Sequence, residues 1–203
     1  NEGQIYESNS YALSAALQRH GFRCQQTRQI ADDFEATKSG IASMLQASDV
    51  LLLSGGISVG DYDFVKQALI ENGVQELFYK VFQKPGKPLW FGRKGGKFVF
   101  ALPGNPASSL TCLYVYVIPL LQRMAGATET GLPRVQVALA HDYITRSDRP
   151  AFLKARVSGH KVNILDGQGS SMIHSMALGN ALAFMEPEAS LQAGDLVECL
   201  LIF

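Results

Sequence analysis

The sequence predicts a mixed α/β protein, in which a three-layer α/β/α domain with a mainly parallel sheet precedes a small all-β, barrel-like domain. Helical and strand periods alternate over roughly the first 125 residues, which is typical of a sheet covered by helices. Beyond the turn at 131–133, only short strand patterns follow, separated by polar residues. We therefore expect an α/β domain at residues 1–131 and a β domain at residues 132–203.

The helices of the first domain are predicted from apolar residues that recur at the helical period and from the residues that end them. In the first helix, Leu13 and Leu17 share one side, and Gly21 follows as a natural stop. Pro119 lies within the last, strongly apolar helix and predicts a kink there. The predicted helices span residues 8–19, 33–46, 64–71 and 106–124.

The strands are predicted from short apolar runs bounded by turn residues. Residues 50–53 read Val-Leu-Leu-Leu just before Gly55-Gly56, as expected for a strand that is buried on both faces. In the first domain, the predicted strands span residues 23–30, 49–54, 77–82, 89–92 and 97–102. In the second domain, they span residues 135–140, 152–157, 161–164, 181–185 and 196–202.

The charged residues cancel overall but are unevenly distributed. The chain has 203 residues, of which 47% are hydrophobic, and its 18 basic side chains balance 18 acidic ones. This composition excludes a disordered chain and lacks the basic excess that drives nucleic-acid binding. Residues 1–76 carry a net charge of −5, whereas residues 77–140 carry +7. The contrast indicates either a solvated basic face or a local site for an anion.

The cysteines and the apolar stretches indicate the cellular compartment in which the protein is expected. Cys24, Cys112 and Cys199 are odd in number and have no CxxC spacing, which argues against a disulfide framework or a structural zinc site. The N-terminus does not resemble a signal peptide, and the longest apolar stretch, 110–121, is too short for a membrane span. We expect a cytoplasmic protein without membrane or nucleic-acid partners. Because residue 1 is Asn rather than an initiator Met, we also expect a portion of a longer chain.

Three polar loops follow predicted strands, at the sheet edge where α/β proteins bind their ligands. The first, residues 54–63, reads Ser-Gly-Gly-Ile-Ser-Val-Gly-Asp-Tyr-Asp, and its glycines allow the backbone to approach a ligand. It matches neither GxGxxG nor a Walker A loop, so a tight strand–helix turn is the alternative interpretation. Asp61 and Asp63 are a carboxylate pair of the kind that holds Mg²⁺.

The second and third loops supply cations and a helix start. Residues 84–88 read Lys-Pro-Gly-Lys-Pro and present two lysines suited to an oxyanion; the alternative is an ordinary exposed turn. Residues 102–109 read Leu-Pro-Gly-Asn-Pro-Ala-Ser-Ser. There Asn105 is either a helix cap or a ligand contact, and Ser108 or Ser109 is a hydrogen-bond donor.

Other polar residues carry less information. The four histidines have no mutual spacing of metal ligands, and neither a nucleophile elbow nor an HExxH motif occurs. In the β domain, Arg149-Pro150 and residues 168–171 are polar loop segments, which turn chemistry also explains.

Five segments together resemble the molybdopterin molybdenumtransferases, the MoeA-type and gephyrin E-domain family. They are SGGISVGDYD (54–63), KPGKP (84–88), LPGNPASS (102–109), GQIYESN (3–9) and QGSSMIHSMALGNAL (168–182). Each motif alone has modest specificity, whereas five in this order and spacing are highly specific. Family members begin with two further domains, so the resemblance is to their C-terminal portion.

The resemblance implies a step of molybdenum cofactor synthesis. Adenylated molybdopterin binds, molybdate enters its dithiolene, and AMP is released with the help of a divalent metal such as Mg²⁺. The implied catalytic residues are Asp32, Asp63, Lys80 and Lys84, and the implied metal ligands are Asp63 and Asp61. The implied molybdate site comprises Lys84, Lys87, Pro88, Arg149, Ser170 and Ser171. The implied pterin and nucleotide site comprises Asn9, Gly55, Gly56, Ser58, Gly104, Asn105 and Ser108.

The resemblance also implies a homodimer and, as a further partner, a molybdopterin adenylyltransferase. Two other functions stay open. In the first, the chain is an adenylyltransferase-like enzyme, although the KPGKP loop and the trailing β domain argue against this function. In the second, it is a gephyrin-like binding scaffold, although Lys84, Lys87, Asp63 and Arg149 favour catalysis, because a pure scaffold has no reason to keep an oxyanion pocket.

Overall fold

The computed structural model describes residues 7–57 and 64–203, and the chain divides into two compact units. The α/β unit comprises Asn1–Lys80 and Pro88–Leu110, and the barrel unit comprises Val81–Lys87 and Thr111–Phe203. The predicted α/β class with a barrel-like second part is confirmed. By its contacts, the short segment 81–87 belongs to the barrel unit, although it interrupts the α/β unit in sequence.

The helices of the α/β unit form where the apolar period predicts them. Asp33 caps the second helix, because its Oδ1 accepts a hydrogen bond from the Ala36 N–H at 2.8 Å. The bounds of the first three helices lie within one residue of the prediction. The helices are α1 (Asn9–Arg19), α2 (Phe34–Ala47), α3 (Phe64–Glu71) and α4 (Pro106–Cys112), of which α4 begins in this unit.

The sheet of the α/β unit has the strand order β1-β4-β3-β2. Its strands are β1 (Val50–Ser54), β2 (Gln75–Tyr79), β3 (Trp90–Lys94) and β4 (Lys97–Leu102). Strands β1 and β4 are parallel, whereas β4 pairs with β3, and β3 with β2, in antiparallel fashion.

The prediction of a mainly parallel sheet is therefore wrong for the described strands. Strands β3 and β4 are joined by the two-residue turn Gly95-Gly96, with Lys94 paired to Lys97. So short a connection allows only antiparallel pairing, because a parallel pair needs a crossover of a dozen or more residues. The predicted strand at 23–30 is also wrong. Residues 23–29 are all exposed, so no alternation of burial supports a strand there.

The core of the α/β unit lies between its sheet and the helices α2 and α3. Ile41 of α2, Leu69 of α3 and Val99 of β4 belong to one buried apolar cluster. At its centre Trp90 is fully buried, and its indole N–H donates to Glu76 Oε2 at 2.7 Å. Phe100 points to the opposite face of β4 and is also buried, so β4 has apolar contacts on both faces.

The barrel unit is a closed five-stranded barrel with the order β11-β5-β8-β7-β9. Strands β5 and β8 are parallel and the other barrel pairs are antiparallel. Strands β6 and β10 form a separate two-stranded ladder. The strands are β5 (Arg134–Leu139), β6 (Tyr143–Ile144), β7 (Ala151–Ser158), β8 (Lys161–Ile164), β9 (Ala181–Met185), β10 (Ser190–Leu191) and β11 (Leu196–Leu201), and the unit also contains the short helix α6 (Ile173–Leu178).

The long apolar helix predicted for 106–124 is interrupted before its proline. A π-helical turn at Leu113–Val117 separates α4 from α5 (Ile118–Met124). Pro119 lacks an N–H and its ring crowds the carbonyl one turn earlier, so a widened turn there accommodates the ring. No helix in residues 7–57 or 64–203 has both the length and the apolar character that a bilayer crossing requires.

Candidate functional site

Two of the predicted loops meet in the α/β unit, because β1 and β4 are parallel neighbours whose carboxyl ends lie at one sheet edge. Gly55 and Gly56 follow β1 with φ angles of +91° and +69°, which only glycine adopts without strain. A Cβ atom on Gly56 would lie 2.7 Å from Val65 Cγ2 of α3. A Cβ atom on Gly104 would lie 3.6 Å from the Gly55 Cα, so the two turns are in contact.

Asn9, at the start of α1, connects these two turns. Its Nδ2 donates to Ser54 Oγ and to the Gly104 carbonyl oxygen, both at 2.7 Å. Its Oδ1 is buried and has no hydrogen-bond partner among the described residues. The predicted contact residue thus fixes the sheet edge and leaves one acceptor unused within the part of the chain that the structure describes.

Asn105 immediately precedes α4. The Asn105 carbonyl accepts from the Ser109 N–H at 3.0 Å, and Pro106 is the first helical residue, where a missing N–H is tolerated. Ser109 is fully buried and its hydroxyl donates to the Pro103 carbonyl. Ser108 is buried as well, whereas Gly104 and Asn105 are exposed at the edge of the sheet.

Of the two predicted catalytic acids, Asp32 and Asp63, only Asp32 lies among the described residues. Asp32 is exposed, and the described residues offer its carboxylate no hydrogen bond or ion pair, while its neighbour Asp33 is engaged as the α2 cap. Ser58, Asp61 and Asp63 lie outside the described residues. Within residues 7–57 and 64–203, no three His, Cys, Asp or Glu side chains are grouped closely enough to hold a metal ion.

Lys80 lies at the end of the α/β unit's first segment, in an unusual backbone conformation. Its φ of +68° falls in the left-handed region, which non-glycine residues rarely adopt. Its N–H donates to the Leu89 carbonyl at 2.8 Å, and its Nζ lies 4.8 Å from the centroid of the Tyr79 ring. The side chain is exposed, so its charge is available to an anion.

In the barrel unit, the Lys-Pro-Gly-Lys loop is attached to strand β7. The Lys84 N–H donates to the Pro150 carbonyl and the Lys84 carbonyl accepts from the Phe152 N–H, both at 2.8 Å. The Val81 N–H closes the loop onto the Lys87 carbonyl at 3.0 Å. A cis peptide bond precedes Pro85. The backbone of the loop is thereby held, while the Lys84 and Lys87 side chains are exposed.

Gln83 anchors the same loop from inside and was not found by sequence analysis. It is only 3% exposed. Its Oε1 accepts from the Tyr116 hydroxyl, and its Nε2 donates to the Pro85 carbonyl at 2.8 Å. Burial, with a smaller contribution from Cys112, raises the pKa of Tyr116 to about 12, so its hydroxyl remains a donor at neutral pH. A lone glutamine beside the motif carries no signal in the sequence.

The structure brings Arg149 to this loop, as the resemblance implies for a shared site. Arg149 Nη1 donates to the Gln83 carbonyl at 3.2 Å, and its Nε lies 3.2 Å from Asp148 Oδ1. The Arg149 side chain is 23% exposed, whereas that of Asp148 is 79% exposed. Two predicted oxyanion-binding cations, Lys84 and Arg149, are therefore contributed by segments that bond directly to each other.

A cavity of about 200 Å³ lies beside Lys84 within the barrel unit. Its lining contains the cationic side chains of Lys84 and Arg146, the amide of Gln168 and several hydroxyl groups, but no carboxylate. One of those hydroxyls belongs to Tyr143, whose pKa is raised by burial. Cations and neutral donors without a competing anion are the environment that an oxyanion requires.

The loop that carries Ser170 and Ser171 is organised by a buried cation that sequence analysis missed. Lys154 of β7 is 3% exposed, and its Nζ donates to the carbonyls of Gly167, Gly169 and Met172. Ser170 is half-buried and Ser171 is exposed. In the sequence, Lys154 is one lysine among strand residues, and only its position on the inner side of the loop distinguishes it.

A family model described as a probable molybdopterin binding domain matches residues 1–123, and one described as the MoeA C-terminal region (domain IV) matches residues 136–202. The chain belongs to the MoeA-type family. The resemblance stated from the five motifs is thereby confirmed.

Individual members of the MoeA-type family align with nearly the whole chain. The molybdenum cofactor synthesis protein cinnamon of Drosophila melanogaster is 33% identical over 89% of this chain and 31% of its own length. A molybdopterin molybdenumtransferase of Haemophilus influenzae is 32% identical over 96% of this chain and 50% of its own. The chain thus spans half or less of these relatives.

A solved structure in the MoeA-type family has the same fold. The crystal structure of the molybdopterin biosynthesis MoeA protein from Pyrococcus horikosii superposes with a TM-score of 0.83 at 31% identity. It covers 100% of this chain, which corresponds to 50% of the Pyrococcus chain. Both the helix-covered sheet and the barrel are therefore elements of that fold.

Proposed function

We propose that this chain carries the molybdate-inserting chemistry of a molybdopterin molybdenumtransferase. Molybdate enters the dithiolene of adenylated molybdopterin and AMP is released, which is a step of molybdenum cofactor biosynthesis. The observation that carries the proposal is the attachment of Arg149 to the Lys84 loop, beside a cavity that contains cations and no carboxylate. The names of the relatives support the same reaction.

The barrel unit contributes the oxyanion part of the proposed reaction. Molybdate is a dianion, so transfer from water needs fixed positive charges and hydrogen-bond donors. Lys84, Lys87 and Arg149 supply the charges, and Ser170 and Ser171 supply hydroxyl groups from the loop after β8. Because the backbone of the Lys84 loop is hydrogen-bonded to β7, these charges are positioned before the anion arrives.

The α/β unit contributes the pterin and nucleotide part. Gly55, Gly56 and Gly104 leave backbone uncovered at the carboxyl ends of β1 and β4, where a flat ring or a phosphate approaches closely. Asn9 holds the two turns together, and its Oδ1 accepts no hydrogen bond from any described residue. Lys80 presents its exposed ammonium to a phosphate group of the adenylate, and Asp32 presents an exposed carboxylate.

A divalent metal such as Mg²⁺ belongs to the proposal through Asp61 and Asp63. When bound, such an ion acts as a Lewis acid on a phosphoanhydride. The Asp61 and Asp63 carboxylates are assigned to the metal by their chemistry and by the family resemblance.

The assembly and location of the protein complete the proposal. We place the complete protein in the cytoplasm as a homodimer that receives adenylated molybdopterin from an adenylyltransferase. Neither an adenylyltransferase-like nor a scaffold function for this chain is better supported than the transferase function.

The test is molybdate-dependent AMP release from adenylated molybdopterin by the complete gene product. Lys84→Ala removes one charge of the proposed oxyanion site and is expected to lower kcat/KM by about a hundredfold, as for other electrostatic groups in active sites. Lys161→Ala is the matched control, because Lys161 is an exposed lysine of the same unit, on β8. Equal activity of both variants and the wild type would refute the assignment of Lys84.

A further inference from the structure

The ammonium of Lys154 is buried without an opposite charge. All three of its N–H donors are used by backbone carbonyls: Gly167 at 2.5 Å, Gly169 at 3.0 Å and Met172 at 3.2 Å. No described carboxylate lies within ion-pair distance of it, and burial lowers the pKa of Lys154. A lysine in this environment is costly to the fold, which suggests a role beyond packing.

The segment held by Lys154 is the loop after β8. Gln168 strengthens the attachment, because its side-chain amide accepts from the Lys154 N–H at 3.0 Å and donates to the Lys154 carbonyl at 2.8 Å. The ladder of β7 with β8 ends one residue away, at Ala155 and Ile164. The Leu165 N–H also donates to the Lys154 carbonyl, at 3.0 Å, so the Gln168 amide extends the pairing beyond β8 and fixes the loop to the backbone of Lys154.

The carbonyl contacts determine where the amide N–H groups of the loop point. In a planar trans peptide, the N–H points opposite to the C=O. Because the carbonyls of Gly167 and Gly169 point at the ammonium, the N–H groups of Gln168 and Ser170 point away from it. A backbone N–H group that faces outward from a loop can donate to an anion. Gly167 has a φ of +71°, a conformation that permits such a turn.

We propose that Lys154 is a positioning residue of the oxyanion site. It holds the carbonyl side of the 167–172 loop, so that the Gln168 N–H and the Ser171 hydroxyl face the anion. This inference rests on the proposed function, since it takes molybdate as the anion. Gln168 also lines the cavity beside Lys84, so the loop and the Lys84 segment border the same space within the barrel unit.

The experiment compares the complete gene product with its Lys154→Met variant in molybdate-dependent AMP release. Methionine has similar length but donates no hydrogen bond, so the loop loses its anchor while the site's own charges remain. The KM for molybdate is expected to rise by at least about tenfold, with kcat at saturating molybdate changed by less than about threefold. Lys161→Met, at an exposed position of the same unit, is expected to change neither constant.

A folded Lys154→Met variant with an unchanged KM for molybdate overturns the proposal. If that variant does not fold, Ser175→Ala replaces it, because the Ser175 Oγ lies within hydrogen-bond distance of the same Gly167 and Met172 carbonyl oxygens, at 2.7 and 3.0 Å. Its KM is expected to rise by about two- to fivefold with kcat unchanged. An unchanged KM there overturns the proposal as well.

Failure of the proposed function has a different signature. If the wild-type protein releases no AMP in response to molybdate, the transferase assignment fails. Calorimetric titration of molybdate into the wild type and the variants then still tests Lys154. Weaker molybdate binding in the Lys154→Met or Ser175→Ala variant supports the positioning role, and equal binding overturns it.

Discussion

Adjacent aspartates at the start of α2 have different environments. Asp33 caps the helix through its Oδ1, whereas the carboxylate of Asp32 is exposed and has no partner among the described residues. The family resemblance implies a catalytic role for Asp32, together with Asp63. One carboxylate oxygen of Asp33 is occupied by the cap, so the Asp32 carboxylate is the more available of the two.

This difference predicts opposite outcomes for two neighbouring substitutions. Asp33→Ala is expected to lower the free energy of unfolding by about 1 kcal/mol, through loss of the cap, and to leave molybdate-dependent AMP release unchanged. Asp32→Asn is expected to abolish release with unchanged stability. Urea unfolding together with the activity assay measures both. Loss of activity in the Asp33 variant alone would contradict the assignment.

Glu76 predicts a dependence of stability on pH. Partial burial pushes its pKa up, but the hydrogen bonds from Lys66 and Trp90 outweigh this, so the pKa lies below its ordinary value of 4.5. A lowered carboxyl pKa in the folded state stabilises the fold above the unfolded-state pKa, and the contribution is lost as the pH falls through the folded-state pKa.

The expected result is that Glu76→Gln is less stable than the wild type at pH 7, and that the difference shrinks as the pH falls below 4.5. Trp90 is the one tryptophan of the chain and contacts Glu76 directly, so its fluorescence follows unfolding. A difference that does not change with pH would show that the Glu76 charge is irrelevant.

At the scale of elements, the sequence predicts helices better than strand pairing. The apolar period of α2 and α3 is local information, and their predicted bounds are within one residue of the structure. Pairing direction depends on connections. The turn Gly95-Gly96 signals a hairpin, yet the alternation of helix and strand patterns around it favoured a parallel sheet.

Within the candidate site, too, features that depend on neighbouring residues are predicted from the sequence, and features that depend on distant contacts are not. The motif loops are continuous in sequence and were predicted as candidate sites. Gln83, Tyr116 and Lys154 were missed, because each acts through a contact with a segment far along the chain or through burial that the sequence does not reveal. A buried lysine and an exposed lysine are identical letters in the sequence.

Strand β3 provides a prediction at this scale. Gly92 lies where a Cβ atom would be 2.3 Å from Trp90 Cη2 and 2.6 Å from the Gln75 carbonyl oxygen. Gly92→Ala therefore forces the ring and the neighbouring strand apart and is expected to cost about 1–3 kcal/mol. Gly96→Ala is the control, because nothing lies within 4 Å of the Cβ position there. Equal unfolding free energies in urea for both variants would contradict the clash.

On the scale of the whole molecule, the two units present different chemistry. The α/β unit presents uncovered glycine backbone at the ends of β1 and β4, and the barrel unit presents cations without carboxylates around a cavity. The net charge of zero conceals this arrangement, since an acidic first segment balances the basic residues 77–140. Charge distribution along the chain predicted an anion site, whereas total charge did not.

The central claim is that the barrel unit binds molybdate through Lys84 and Arg149. Equilibrium binding of molybdate to the complete gene product, measured by calorimetry, tests it most directly. The Lys84→Ala and Arg149→Ala variants are each expected to bind at least about tenfold more weakly than the wild type, and the Lys161→Ala control to bind equally well. Equal affinity for molybdate in the wild type and all three variants would contradict the claim.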